Sequence, residues 1–171
     1  MSGFVETLVA SKVHPLTKKE EEDDEDQKKI RKGEPDVQME SLSIVCPGRP
    51  EIALSHPFIS SPRACLFTLK EGTKYKLKFS FVVSNNIVSG LRYENTLWKA
   101  GIRVDKSTVV LGTFSPQKKP HVFELEEETL PCGILVRGLY SARAKVIDDD
   151  GKCYMDMHYH FDIQKNWPSD P

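Results

Sequence analysis

An all-β chain, an immunoglobulin-like antiparallel sandwich behind a charged N-terminal arm, is what this sequence predicts. Three observations lead there. Apolar residues alternate with polar ones in several runs after Met39. Turn-forming residues punctuate those runs at short intervals. No long stretch repeats with the helical period. Strict alternation is what a strand with one face buried and one solvated requires. Seven to nine such strands in one domain make a two-sheet sandwich.

The clearest strand is Lys74–Val83, where Tyr75, Leu77, Phe79, Phe81 and Val83 share one face and Lys74, Lys76, Lys78 and Ser80 the other. Met155, Met157, Tyr159, Phe161 and Ile163 alternate in the same way with Asp156, His158, His160 and Asp162. A third run sets Ile134, Val136, Tyr140, Ala142, Ala144 and Val146 against Arg137, Ser141, Arg143 and Lys145. Further strands are expected near Glu40–Cys46, Cys65–Leu69, Ile87–Trp98, Thr108–Thr113 and His121–Leu125. Asp150-Gly151, between two alternating runs, is the strongest hairpin signal. Cys46, Trp98 and Cys153 follow the order of an antibody domain, but the two cysteines are too far apart in sequence for its disulfide.

The 171 residues carry 24 Lys+Arg and 25 Asp+Glu, a net charge of -1. That balance conceals two regions. Residues 1–38 hold 7 basic and 10 acidic side chains; residues 39–171 hold the other 17 and 15. We read 1–38 as a flexible arm and 39–171 as the sandwich. Seven consecutive acids, Glu20 to Asp26, sit between basic clusters, and charges this dense repel one another into a solvated chain. Ahead of them Phe4, Val5, Leu8 and Val9 suit one short amphipathic turn. A near-neutral total argues against a general nucleic-acid binder. No apolar run is long enough to cross a membrane. The first residues lack the pattern of a secretory signal, and there is no Gly at position 2 for myristoylation and no Cys near the C-terminus for prenylation. Reduced thiols in the cytoplasm are therefore expected for the four cysteines.

Catalytic signatures are missing: no GxSxG, Walker loop, HExxH or GxGxxG occurs. His158 and His160, with Asp156 and Asp162, share one strand face and would suit a metal-dependent enzyme, although a solvated face carries polar residues in any case. Asp148-Asp149-Asp150 and Glu126-Glu127-Glu128 are acidic groups at strand ends, where solvated turns are also acidic.

A series of ordered segments is more specific. They run SLSIVCPGRP from Ser41 to Pro50, FTLKEG from Phe67 to Gly72, and NIVSGLRY from Asn86 to Tyr93. WKAGIRVD follows from Trp98 to Asp105, then LGTFSP from Leu111 to Pro116 and RGLYS from Arg137 to Ser141. Asp148–Asp150 and Lys165–Trp167 complete the series. Together they resemble the Rho GDP-dissociation inhibitor family, and look closest to its plant members. The resemblance implies a cytoplasmic, non-enzymatic carrier without a cofactor of its own. It implies a monomer that binds a GDP-bound, geranylgeranylated Rho-family GTPase 1:1, holds the lipid between its sheets, extracts the GTPase from membranes and blocks nucleotide exchange with its arm. Neither nucleic-acid binding nor stable membrane insertion is expected. A general carrier of lipidated cargo on the same fold is the alternative.

The same resemblance implies a prenyl slot among Leu42, Ile44, Phe67, Tyr75, Leu77, Phe79, Ile87, Leu91, Leu111, Leu135, Met157, Tyr159 and Phe161. Each would serve equally as ordinary core. The family often has Trp where this chain has Met157 and Tyr159. GTPase contacts are expected at Asp24, Glu25, Ser89, Asp105, Glu127, Glu128, Asp149 and Asp150. Asp23–Gly33 keeps the acids of the family's arm but lacks its leucines and is shorter, which implies a weaker or differently built grip on the GTPase.

Overall fold

A computed structural model describes residues 33–58 and 65–169. Ten strands, and no helix, run through them: β1 (Asp36–Val45), β2 (Ile52–Ser55), β3 (Cys65–Lys70), β4 (Lys74–Ser84), β5 (Val88–Lys99), β6 (Ile102–Phe114), β7 (His121–Glu124), β8 (Glu128–Thr129), β9 (Gly138–Ile147) and β10 (Cys153–Gln164). They form two five-stranded sheets. One has the order β2-β1-β4-β7, with β8 also pairing β4; the other has the order β3-β10-β9-β5-β6. Every pairing is antiparallel except β3 with β10.

The alternation predicted for β4 and β10 is realised. Tyr75, Phe79, Phe81 and Val83 are buried from one sheet, and Met155, Met157, Tyr159, Phe161 and Ile163 from the other. Edge-to-face aromatic pairs join the sheets: Phe79 and Tyr93 at 5.1 Å, Phe81 and Phe114 at 4.9 Å, a geometry that adds to simple burial. β1 starts at Asp36, where Val37 and Met39 already alternate inward. β2 and β8 were not foreseen; they are four and two residues long, too short to show a period. Cys46, Cys65, Cys132 and Cys153 are free thiols.

One expected strand start is corrected. Ile134, Leu135 and Val136 form a turn, and β9 begins only at Gly138. Side chains claim the carbonyls that a ladder would need. Lys99 Nζ donates to Leu135 O at 2.6 Å and Arg137 O at 2.8 Å. Tyr140 OH donates to Val136 O at 2.6 Å. Glu71 accepts from Gly133 N and from the Arg137 guanidinium, and these bonds hold its carboxyl below the usual range. Ile134 and Leu135 are left 79% and 73% exposed.

Candidate functional site

The sheets do not close completely. A cavity of about 40 Å³ lies between them. Ile44 of β1 and Tyr75 and Leu77 of β4 form one wall; Tyr93, Asn95 and Leu97 of β5, with Tyr159 and Phe161 of β10, form the other; Phe67 and Leu69 of β3 close one side. Between β5 and β10, the inward positions of β9 are Ala142 and Ala144, paired with Leu97 and Asn95 on one side and Tyr159 and Met157 on the other. Around the gap the aromatic rings pack on one another: Phe67 stacks on Phe161 at 5.4 Å, Phe161 on Tyr140 at 5.3 Å, and Phe67 lies 5.8 Å from Tyr159.

The cavity is apolar with a polar patch. Tyr93 donates a hydrogen bond to Tyr159. Burial pushes the Tyr159 phenol up to about 12 and raises Tyr93 and Tyr75 further. Asn95 is 6% exposed, and its Oδ1 has no hydrogen-bond partner.

Of the thirteen lipid-slot residues expected from the sequence, Ile44, Phe67, Tyr75, Leu77, Tyr159 and Phe161 line the cavity. Leu42, Phe79, Ile87, Leu91, Leu111 and Met157 are buried core away from its wall. Leu135 is on the surface, for the reason given above. Leu69, Tyr93, Asn95 and Leu97 were missed. The last three continue the two-residue period from Leu91, and the polar Asn95 interrupts the apolar run that would have marked them.

The acidic candidates divide between the two ends of the sandwich. In the β9–β10 hairpin Asp148 is buried, and its carboxylate accepts from Asp150 N, Lys152 N and Tyr154 OH at 2.9, 3.0 and 2.6 Å. With Asp148 spent on the turn, Asp149 and Asp150 face solvent. Asp149 N donates to Ser89 O at 3.0 Å, so Ser89, Asp149 and Asp150 come together. Lys152 ties this hairpin to Pro35 O, next to the start of β1, which pairs with the end of β4. Glu128 instead faces Tyr75 at the start of β4, with Glu127 beside it. The run of β4 from Tyr75 to Ser84 separates the two groups, about 30 Å at strand rise. Asp105 pairs with the cavity residue Leu97. Asp24 and Glu25 lie outside the described residues, as do the acidic run and the Phe4–Val9 turn. Asp156 is held by Arg143 at 2.7 and 2.9 Å, and among the described residues no His, Cys, Asp and Glu cluster suited to a metal is formed.

A family model described as RHO protein GDP dissociation inhibitor matches residues 16–166. The chain belongs to the Rho GDP-dissociation inhibitor family. It is 55% identical over 136 residues to Rho GDP-dissociation inhibitor 1 of Arabidopsis thaliana, covering 80% of this chain and 57% of the relative. It is 38% identical over 101 residues to the Rho GDP-dissociation inhibitor of Schizosaccharomyces pombe, covering 59% and 49%. With Rho GDP-dissociation inhibitor 1 of Homo sapiens it shares 33% over 136 residues, covering 78% and 66%. The chain thus spans about half to two thirds of the length of these curated relatives.

Proposed function

We propose that the chain is a Rho GDP-dissociation inhibitor that binds a GDP-bound, prenylated Rho-family GTPase 1:1, shields the lipid between its sheets and withdraws the GTPase from membranes into the cytoplasm. The observation that carries this is the aromatic and aliphatic cavity between the sheets of a family member. A geranylgeranyl chain of twenty carbons gains up to about 16 kcal/mol on leaving water, at about 0.8 kcal/mol per carbon. Membrane and carrier compete for that same gain, so the carrier needs an equally apolar slot. A cavity of about 40 Å³ holds a few waters at most, so loading must part the sheets.

The acids serve the polar half of the exchange. An anionic membrane holds a basic stretch beside the lipid by about 1 kcal/mol per basic residue. Asp149 and Asp150 at one end, and Glu127 and Glu128 at the other, are substitute anions on opposite sides of the domain. Residues 1–35, ahead of β1, act as an arm on the GTPase, with a weaker grip for want of leucines. The protein itself catalyses nothing and needs no cofactor. The test is GDP release from prenylated and unprenylated Rho GTPase with the full chain and with residues 1–35 deleted, which leaves β1 intact. Slower release that depends on the prenyl group is expected. If the lipid makes no difference to binding, the cavity is not its site.

A further inference from the structure

We infer that Ile102, Ile134 and Leu135 are the bilayer contact of this domain: an aliphatic edge that rests on a membrane surface while the lipid passes to or from the cavity. This rests on the cavity being the lipid slot. Among the described residues these are the three most exposed large apolar side chains, at 69, 79 and 73%. They come together at one end of the sandwich. Lys99 closes β5 and pairs with Ile102 at the start of β6, and its Nζ donates to Leu135 O at 2.6 Å. The turn carrying Ile134 and Leu135 is held in place. Val136 N donates to Gly133 O at 3.0 Å, and Glu71 accepts from Gly133 N and the Arg137 guanidinium. Val136 is buried, so the turn spends one of its three aliphatic side chains on the core and presents the other two to solvent.

The cavity lies at the same end. Its wall includes Leu97, two residues before Lys99, and Tyr75, the second residue of β4. The chain from β8, which pairs with the start of β4, to β9 of the other sheet crosses this end and carries the turn. Exposed apolar clusters mark docking surfaces, and three observations select a bilayer as the occupant. A lipid that crossed water between bilayer and cavity would forfeit its apolar surroundings on the way, so the end that holds the cavity has to meet the bilayer. The three side chains are all aliphatic and two stand out on a turn, whereas protein interfaces centre on aromatic and Arg anchors seated in pockets. The charges next to them, Lys99 and Arg103, are cations. Lys99 gives its ammonium protons to backbone carbonyls, and such cations are drawn to anionic headgroups. Glu127 and Glu128 belong to the other side of this end, beside the start of β4.

The test compares the full chain with Ile134→Ser combined with Leu135→Ser in two assays. One is extraction of prenylated Rho GTPase from vesicles of phosphatidylcholine and phosphatidylserine; the other is binding of geranylgeranyl-cysteine methyl ester in solution. Extraction is expected to slow about tenfold while affinity for the ester is unchanged. Ile102→Ser, on a separate strand, should slow extraction in the same direction and covers the case in which the double variant does not fold. Val122→Ser, which removes a 62% exposed aliphatic side chain from the other sheet, should alter neither reading. Extraction within twofold of the unaltered chain overturns the inference. So does a tenfold loss of ester affinity, which would make the pair part of the slot, and so does weaker binding of unprenylated GTPase, which would make it a protein contact. Failure of the unaltered chain to bind the ester overturns the slot itself.

Discussion

Gly90 offers a test of how the acidic hairpin is held against the β5 edge. It has φ +61 and lies in an irregular stretch of the β5–β6 pairing between Val88 and Leu91. A Cβ placed there would meet the Asp149 carboxylate at 2.1 to 2.4 Å. Gly90→Ala therefore imposes two costs. Left-handed backbone costs an L residue about 1–2 kcal/mol. The carboxylate must also swing away, giving up its 3.7 Å contact with Arg92; as an exposed pair this is worth at most about 1 kcal/mol. Asp149 N stays bonded to Ser89 O, so the side chain rather than the hairpin moves. The total is about 2 kcal/mol, or about 4–8 °C in melting temperature for a domain of this size. Thermal melting of the single and double variants measures both parts. Asp149→Ala should cost up to about 1 kcal/mol in the unaltered chain, yet nothing when Gly90→Ala has already broken the Arg92 contact. That loss of effect is the signature of the contact. A Gly90→Ala melt within 1 °C of the unaltered protein, or an Asp149→Ala cost that persists in full in the double variant, would refute the reasoning.

Three further outcomes are expected. Tyr140→Phe leaves the Val136 carbonyl without its 2.6 Å donor, and should lower stability by about 1–2 kcal/mol in urea denaturation; an unchanged midpoint would mean that the hydroxyl does not hold the turn. Burial raises the Tyr159 phenol from 10 to about 12, so its contribution is full below pH 10, where both states are protonated, and is lost as the unfolded chain ionises first between pH 10 and 12. That amounts to roughly 3 kcal/mol over the window, and Tyr159→Phe should flatten the decline in urea midpoint above pH 10. Asp149→Asn combined with Asp150→Asn should weaken extraction of prenylated GTPase from anionic vesicles more than from neutral ones; equal effects on the two would count against the substitute-anion role.

Where a strand's two faces differ sharply in polarity, the fold was legible before any coordinates. β4 and β10 are such cases: lysines oppose aromatics on one, and Asp and His oppose Met and aromatics on the other. Legibility failed where a local pattern is overridden by partners distant in sequence. Ile134–Val136 has the apolar content of a strand start, but Lys99 and Glu71 capture the groups around it. No local window contains those partners. The cavity was half legible for a related reason. Inward orientation follows from period two, but whether an inward residue meets a neighbour or a gap depends on what the adjacent strand supplies. Asn95 escaped because a polar residue at an inward position looks like a break in the pattern.

The parallel pairing of β3 with β10 joins Cys65 to the level of His160 and Lys70 to that of Gln164. One side of the cavity, Phe67 and Leu69, thus has its sheet neighbour some 95 residues later in the chain. During synthesis, β3 leaves the ribosome long before the strand that will accept its hydrogen bonds exists. Contacts of such long sequence separation slow folding, and a waiting edge strand invites wrong pairing. The cavity between the sheets is consequently among the last features the nascent chain completes, and a ribosome stalled before Gln164 would hold a chain that cannot close it.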